Sequence, residues 1–171
     1  MINNKKSQKV KYKVILIRHG QSEANKNKVW GSWTDVDLSE EGIQEVKNAA
    51  KLLKNYKFDI CYTSFLLRTI KTWNILAEEL DLHHIEVIKS WRLNEKHYGD
   101  LIGLNKIEIC KKYGDDQLKK FRRDYSSRPP LLKQDDRRNP IYDEKYKFVP
   151  KSLLPLGEVN FFNYHFKFFR V

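Results

Sequence analysis

Hydrophobic and polar residues follow two different periods along this chain. Residues 14–17 (VILI) form a continuous apolar run with β-branched side chains, a pattern typical of a strand buried on both faces of a parallel sheet. Short apolar runs at 58–62 and 85–88 predict two further strands. Apolar residues recur at helical spacing between these runs, so we predict helices from Ser39 to about Lys54 and from Leu66 to Leu80.

The order strand, helix, strand, helix, strand predicts an α/β fold with a mostly parallel sheet flanked by helices. Ligand-binding groups in such folds collect where the strands end. We therefore expect His19, Ser64 and Glu95, which follow the three predicted strands, to lie near one edge of the sheet.

The remainder of the chain has weaker periodicity. Two short helices are predicted between residues 107 and 125, marked by Ile107, Cys110, Tyr113, Leu118, Phe121 and Tyr125. Residues 133–155 are rich in charge and proline, which favours a functional lid or a disordered loop. Residues 159–171 hold aromatic side chains that alternate with polar ones, so they read as an edge strand or an unstructured tail. We divide the chain into a basic flexible arm at 1–12, a domain at 13–158 and an aromatic-rich tail at 159–171.

Composition and charge narrow the class of protein. With 40% hydrophobic residues, the chain has too much apolar content for a disordered protein. No apolar run reaches the roughly 18 residues of a membrane span, and two cysteines without metal-type spacing suit a reducing compartment, so we expect the cytoplasm and no membrane partner. A net charge of +11 suits phosphorylated metabolites or other polyanions. Basic and aromatic residues interleave too little to favour nucleic acid.

The tripeptide Arg18-His19-Gly20 stands at the predicted exit of the first strand. A neutral imidazole can attack phosphorus and pass the phosphoryl group onward. Arginine forks are the favoured clamps for the charged oxygens of that group, and Arg18 and Arg68 both lie close to predicted strand exits. Without further context, such a histidine is usually structural, and the arginines could form surface salt bridges.

Four longer segments carry a family resemblance. Residues 16–25 (LIRHGQSEAN), 35–42 (DVDLSEEG), 63–68 (TSFLLR) and 92–106 (RLNEKHYGDLIGLNK) resemble the phosphoglycerate mutases that depend on 2,3-bisphosphoglycerate, members of the histidine phosphatase superfamily. The first segment marks the superfamily, and the last is typical of the mutases. The resemblance runs from about residue 13 to residue 158.

The resemblance implies a glycolytic and gluconeogenic isomerase that interconverts 3-phosphoglycerate and 2-phosphoglycerate. Its cofactor is 2,3-bisphosphoglycerate, which primes the enzyme, and no metal is implied. His19 is the implied phosphohistidine, Glu95 gives and takes protons, and Arg18 and Arg68 complete the catalytic set. The implied substrate-binding residues are Arg18, Gly20, Gln21, Ser22, Asn25, Gly31, Ser32, Arg68, Glu95, Lys96, His97, Tyr98, Lys106, Arg122 and Arg123. By resemblance the protein is a homodimer or a homotetramer.

The chain departs from the family in the loop and at the end. Gly31-Ser32 stands where a Thr-Gly pair usually contacts substrate, and Lys96 replaces an arginine. After Glu158 the family continues with a strand that ends in a second active-site histidine, which the tail does not match. We therefore expect poor stability and little activity. The alternatives are a histidine-type phosphatase and an inactive anion-binding module.

Overall fold

The computed structural model describes residues 12–124 and 126–158. The predicted arm, apart from Tyr12, and the predicted tail lie outside the described residues. The helices are α1 (Glu23–Lys26), α2 (Glu40–Leu53), α3 (Leu67–Leu80), α4 (Lys106–Tyr113) and α5 (Asp115–Arg123), and the strands are β1 (Ile60–Thr63) and β2 (Glu86–Lys89). Five single turns of 3₁₀ helix follow β2: Trp91–Leu93, Gly99–Leu101, Pro140–Tyr142, Glu144–Tyr146 and Lys151–Leu153.

Helices α2 and α3 pack against each other and confirm the two long helices predicted from periodicity. The Ser39 hydroxyl accepts a hydrogen bond from the Gly42 amide at 3.1 Å, so the predicted cap begins α2. Val46 and Ala50 of α2 meet Leu76 of α3 in a buried apolar cluster. Local spacing predicted these helices because each buries one apolar face.

Strands β1 and β2 form a two-stranded parallel sheet in which Tyr62 pairs with Ile88. They confirm the second and third predicted strands, with starts one or two residues later. Alternate side chains of this sheet are open to solvent, Tyr62 at 54% and Ile88 at 36%. Parallel sheets ordinarily have both faces covered, and here one of them is not.

The first predicted strand is wrong for this structure. Residues 14–17 have no assigned secondary structure, and Val14 and Leu16 are 78% and 91% exposed. A strand is held by ladder hydrogen bonds to a neighbour. Among the described residues, β1 and β2 pair only with each other, so this apolar run has no strand beside it.

The segment from 133 to 155 is neither a free lid nor disordered. Its 3₁₀ turns bury Asn139, Tyr146 and Val149. The Tyr146 ring lies 4.9 Å from the Trp33 ring, and its hydroxyl accepts a hydrogen bond from the Asn94 amide at 2.9 Å. Aromatic packing therefore fixes a stretch whose composition indicated irregular structure.

Helices α4 and α5 confirm the two short helices predicted between residues 107 and 125. Phe121 of α5 and Ile109 of α4 pack with Trp30, Tyr98 and Leu101 in one buried cluster. Helix α5 ends at Arg123, before the predicted Tyr125, which lies outside the described residues. No helix in the described parts of the chain is long and apolar enough to cross a membrane.

Candidate active site

The imidazole of His19 is held in one tautomer. Its Nδ1 lies 2.7 Å from the Gly20 carbonyl oxygen. A carbonyl can only accept a hydrogen bond, so Nδ1 carries the proton and Nε2 keeps its lone pair. Burial lowers the pKa of His19 below its ordinary value, the Gly20 bond opposes this, and the positive charges of Arg68 and Arg18 lower the pKa further. The ring is therefore neutral near pH 7.

The backbone beside His19 is fixed by the two packed helices. The Gly20 amide donates a hydrogen bond to the Thr72 hydroxyl at 3.2 Å, and that hydroxyl donates to the Arg68 carbonyl at 2.8 Å. A Cβ on Gly20 would lie 2.3 Å from the Gly42 carbonyl oxygen. Only glycine permits this close approach, and the contact seats the histidine segment on α2 and α3.

The guanidinium of Arg68 is almost completely buried and has acceptors on several sides. It donates to the Ser32 carbonyl at 2.6 Å, to the Thr34 carbonyl at 3.1 Å and to the Glu95 carboxylate at 3.0 Å. Ser32 adopts a positive φ of 47°, a backbone conformation uncommon for residues other than glycine. Arg68 thus joins α3, the loop before α2 and the segment after β2.

The carboxylate of Glu95 remains reachable although it is paired. Its side chain is 45% exposed, whereas that of Arg68 is 2% exposed. The Glu95 backbone oxygen accepts a hydrogen bond from the Trp33 indole at 2.7 Å. These two contacts orient a group that can give or take a proton at the mouth of a cleft.

A cleft opens beside these groups and is strongly basic. Its lining comprises Arg18, Ser22, Asn25, Trp30, Gly31, Arg68, Glu95, Tyr98, Lys106 and Arg122. Four cationic side chains face a single carboxylate, and burial together with the charges of Arg122 and Arg18 lowers the pKa of Lys106. This charge balance suits a small ligand that carries more than one negative group.

Nine of the predicted site residues line the cleft. His19 is not among the lining residues, although three residues that line the cleft, Arg68, Arg18 and Glu95, act on the pKa of its ring. The other predicted residues lie in the surrounding walls. The polar groups of Gln21 contact Ser39, Glu41 and Glu45 at the start of α2. In this structure the Gln21 side chain supports the helix cap, and its expected substrate contact stays a prediction. Gly20 packs under the histidine, and Arg123, one residue after Arg122, is outside the lining.

Three further predicted binding residues use their side chains internally. The Ser32 hydroxyl donates to the Lys96 carbonyl at 2.9 Å and accepts from the Tyr98 amide at 3.0 Å. The Lys96 ammonium donates to the Phe121 carbonyl at 3.1 Å. His97 is fully buried, and its Nδ1 accepts from the Gly99 amide. In this structure these side chains hold the walls of the cleft together, and their contact with a ligand stays a prediction.

Sequence reasoning missed three residues of this site. Trp30 lines the cleft, Trp33 orients Glu95, and Thr72 holds the amide of Gly20. The two tryptophans flank Gly31-Ser32, and Thr72 lies one helical turn after Arg68. The spacing of Thr72 was available as a signal, because residues four apart share a helix face. The tryptophans lie outside the helices and gave no such signal.

The cleft is basic, and residues that line it, Arg68 and Arg18, help to lower the pKa of the nearby His19. A model of the histidine phosphatase superfamily (branch 1) matches residues 14–136. The chain belongs to this superfamily.

The most informative relatives are mutases. The chain is 50% identical over 148 residues to the 2,3-bisphosphoglycerate-dependent phosphoglycerate mutase of Lachnoclostridium phytofermentans, covering 85% of this chain and 59% of that protein. The mutase of the same name from Treponema denticola is 49% identical, and 60% of it is covered. The chain thus spans about three fifths of the length of the relatives it matches.

Solved structures give the same fold. A mycobacterial glucosyl-3-phosphoglycerate phosphatase in complex with VO3 is 29% identical, with a TM-score of 0.57 over 65% of this chain and 51% of that one. Phosphoglycerate mutase from Bacillus anthracis, at 21% identity, has a TM-score of 0.56 over 63% of this chain and 50% of its own, and its likeness concerns the fold alone.

Proposed function

We propose that this chain carries the phosphohistidine half of a phosphoglycerate mutase that interconverts 3-phosphoglycerate and 2-phosphoglycerate through His19. The observation that supports it most is the locked tautomer. The bond from Nδ1 to the Gly20 carbonyl leaves the lone pair on Nε2, and burial favours the neutral ring. A neutral, oriented imidazole is what nucleophilic attack on phosphorus requires.

The cleft has the charge for such substrates. Phosphoglycerate carries a phosphate and a carboxylate on a short carbon chain, so it needs cations on more than one side. Arg18, Lys106 and Arg122 line the cleft together with the buried Arg68. Planar guanidinium groups pair with both anions in a bidentate manner. Ser22 and Asn25 add neutral donors, although each also caps α1 through the other.

Two groups of this chain, His19 and Glu95, can carry out the transfer step. As Nε2 of His19 forms its bond to phosphorus, the bond from phosphorus to the substrate oxygen breaks, and that oxygen takes a proton from Glu95. In the return step, Glu95 takes the proton of the hydroxyl that attacks the phosphohistidine. Glu95 is suited to this because its side chain is half exposed while Arg68 holds one of its oxygens.

The primer implied by the relatives' name would fit the same basic side chains of the cleft. Four basic side chains against one carboxylate favour a ligand with several negative charges. Arg18, Arg68, Lys106 and Arg122 would hold 2,3-bisphosphoglycerate, which supplies the phosphoryl group that loads the histidine. The proposed substrates belong to glycolysis and gluconeogenesis, which supports the proposal that the reaction takes place in the cytoplasm. The expected homodimer or homotetramer stays a prediction.

The test is direct phosphorylation of the protein. The chain is incubated with 2,3-bisphosphoglycerate, and intact-mass and peptide mass spectrometry at neutral pH locate an acid-labile phosphoryl group. We expect it on His19 in the parent chain and in the control His83→Gln, which changes an exposed histidine paired with Glu78. We expect none in His19→Gln. Labelling of the parent chain at another residue, or no labelling at all, would contradict the proposal.

A phosphatase is the second candidate, supported by the 29%-identical phosphatase structure and by the exposure of Glu95 to water. The two reactions separate in one assay of 3-phosphoglycerate with primer. A mutase forms 2-phosphoglycerate, followed through enolase, faster than it releases inorganic phosphate. Phosphate release in excess of isomerisation assigns the phosphatase, and stable labelling without turnover assigns an anion-binding module.

A further inference from the structure

An aspartate from a distant loop caps helix α3 beside Arg68. Leu66, the residue at the N-cap position of this helix, has an aliphatic side chain and provides no cap hydrogen bond. Asp35, from the loop before α2, supplies the acceptor instead: its Oδ1 accepts a hydrogen bond from the Leu67 amide at 2.6 Å. A carboxylate at this position complements the positive end of the helix dipole and satisfies an amide that has no partner within the helix.

The charge of Asp35 also reaches the anion site. The residue before it, Thr34, accepts a hydrogen bond from the Arg68 guanidinium at its carbonyl oxygen, at 3.1 Å. Burial lowers the pKa of Arg68, and the negative charges of Glu95 and Asp35 oppose this effect. An unpaired negative charge at Asp35 would repel an anionic ligand of the cleft. Capping of α3 therefore favours a charge at Asp35, whereas anion binding disfavours it.

Lys145 neutralises this carboxylate. Its ammonium lies 2.9 Å from Oδ2 of Asp35, the oxygen that Leu67 does not use, and 3.1 Å from Oδ2 of Asp143. The side chains of Lys145 and Asp35 are 33% and 37% exposed, so solvent screens this pair less than a fully exposed one. Burial lowers the pKa of Lys145, but the hydrogen bonds and charges of Asp35 and Asp143 outweigh it and raise the pKa overall. The ammonium therefore stays charged.

The turn that carries Lys145 is fixed by buried contacts. Lys145 is the middle residue of the 3₁₀ turn Glu144–Tyr146. The tyrosine ring of this turn lies 4.9 Å from the Trp33 ring, and its hydroxyl accepts a hydrogen bond from the Asn94 amide. A fixed turn lowers the entropy that the lysine loses when it pairs with Asp35.

We propose that Lys145 is a positioning residue of the anion site: it holds the Asp35 carboxylate as the cap of α3 and cancels its charge toward the ligand. Lys145 acts through Asp35, since it does not line the cleft. The proposal rests on the proposed function, because it takes the cleft as a site for a phosphate-like anion. Removal of the ammonium weakens anion binding, and removal of the Asp35 charge in the same chain restores it.

The test measures anion affinity without turnover. Orthovanadate, a mimic of phosphate, is titrated into the full chain by isothermal titration calorimetry at about 20 mM salt. We expect Lys145→Met to raise the vanadate Kd about three- to fivefold, as expected of one uncompensated charge near the ligand. Adding Asp35→Asn, whose side-chain oxygen can still accept from Leu67, restores the parent Kd. At about 500 mM salt the loss in Lys145→Met shrinks, because salt screens the charge.

Lys147→Met is the matched control. Lys147 lies two residues further along and pairs with Glu144 on the exposed surface, so this variant removes the same charge away from Asp35. We expect its vanadate Kd to stay within about 1.5-fold of the parent value. An equal loss in the two lysine variants overturns the proposal in favour of general surface charge. A loss in Lys145→Met that Asp35→Asn does not restore also overturns it, because a purely structural role predicts no rescue.

The remaining outcomes separate this proposal from the proposed function. If Lys145→Met binds vanadate as tightly as the parent chain, this proposal fails and the proposed function stands. If the parent chain binds no vanadate, both fail. If circular dichroism shows that Lys145→Met does not fold, Asp35→Asn alone decides. With Lys145 retained, loss of the carboxylate charge should tighten vanadate binding about twofold, and unchanged or weaker binding overturns the proposal.

Discussion

The cleft around Arg68 differs in packing from the open face, by which we mean the exposed side chains of Val14, Leu16, Ile60, Tyr62 and Ile88. In the cleft, the buried guanidinium of Arg68 has acceptors at the carbonyls of Ser32 and Thr34 and at Glu95. On the open face, apolar side chains of a strand-like segment meet solvent. Within the described residues, the polar groups of Arg68 are bonded, whereas the side chains around Leu16 are exposed.

The difference follows from where the partners lie along the chain. The acceptors of Arg68 come from the loop before α2 and the segment after β2, both inside the described residues. A parallel sheet needs further strands brought from distant parts of a chain and covered on both faces. Local contacts within the described residues therefore suffice for the cleft, whereas a covered sheet depends on more distant segments.

Removing the buried guanidinium of Arg68 should have the largest effect on the stability of the chain. Arg68→Met leaves the buried carbonyls of Ser32 and Thr34 without a donor and Glu95 without its cation, so we expect a loss of about 3–5 kcal/mol of unfolding free energy. Urea unfolding followed by circular dichroism measures it. Arg137→Met, at an exposed arginine, should change stability by less than about 0.5 kcal/mol. Equal losses in both variants would show that the buried network adds nothing.

The walls of the cleft should respond to acid through His97. Burial, helped by the charge of Arg138, lowers its pKa to about 4. The unfolded chain binds this proton near pH 6.5 and the folded chain near 4, so stability falls as pH drops across that window and levels off below it. The expected loss is about 3 kcal/mol.

His97→Asn isolates this contribution, because the Asn oxygen can replace Nδ1 as acceptor for Gly99 and does not titrate. Unfolding free energies of the parent chain and the variant between pH 7 and pH 4 give the difference in slope. His83→Asn, at an exposed histidine, should keep the full acid slope. A parent slope unchanged by His97→Asn would place the titrating group elsewhere.

The open face should tolerate substitution in the isolated chain. Leu16 is largely exposed, so Leu16→Ala should change the unfolding free energy by less than about 0.5 kcal/mol. Leu101→Ala is the matched core variant: Leu101 is 1% exposed within the Trp30–Tyr98 cluster, and its truncation should cost about 2–5 kcal/mol. A large loss from Leu16→Ala would mean that something covers the face in solution.

The helices were predictable because their signals are local. Ser39 caps α2, and the apolar faces of α2 and α3 repeat at helical spacing, so the predicted and observed bounds nearly coincide. That residues 14–17 form no strand in this structure could not be predicted in this way. The apolar pattern of these residues favours burial. Pairing as a strand also needs a neighbouring strand from a distant part of a sequence, which the local pattern does not specify.

The same distinction between local and long-range signals applies to the residues of the site. Motif spacing pointed to Arg18, Arg68 and Glu95, and the fold brings them to one cleft. The direction of individual side chains was not in the motif: Gln21 supports α2, and Lys96 bonds to the end of α5. Trp33, which orients Glu95, carried no catalytic signature of its own.

Residue order alone was enough to establish the helical elements, the basic character of the ligand site and the candidate nucleophile, because these depend on neighbours along the chain and on residue chemistry. The tautomer of His19, the buried bonding of Arg68 and the uncovered state of residues 14–17 came only from the three-dimensional arrangement. Hydrogen-bond direction and burial are properties of groups that meet across the fold, and no local pattern encodes them.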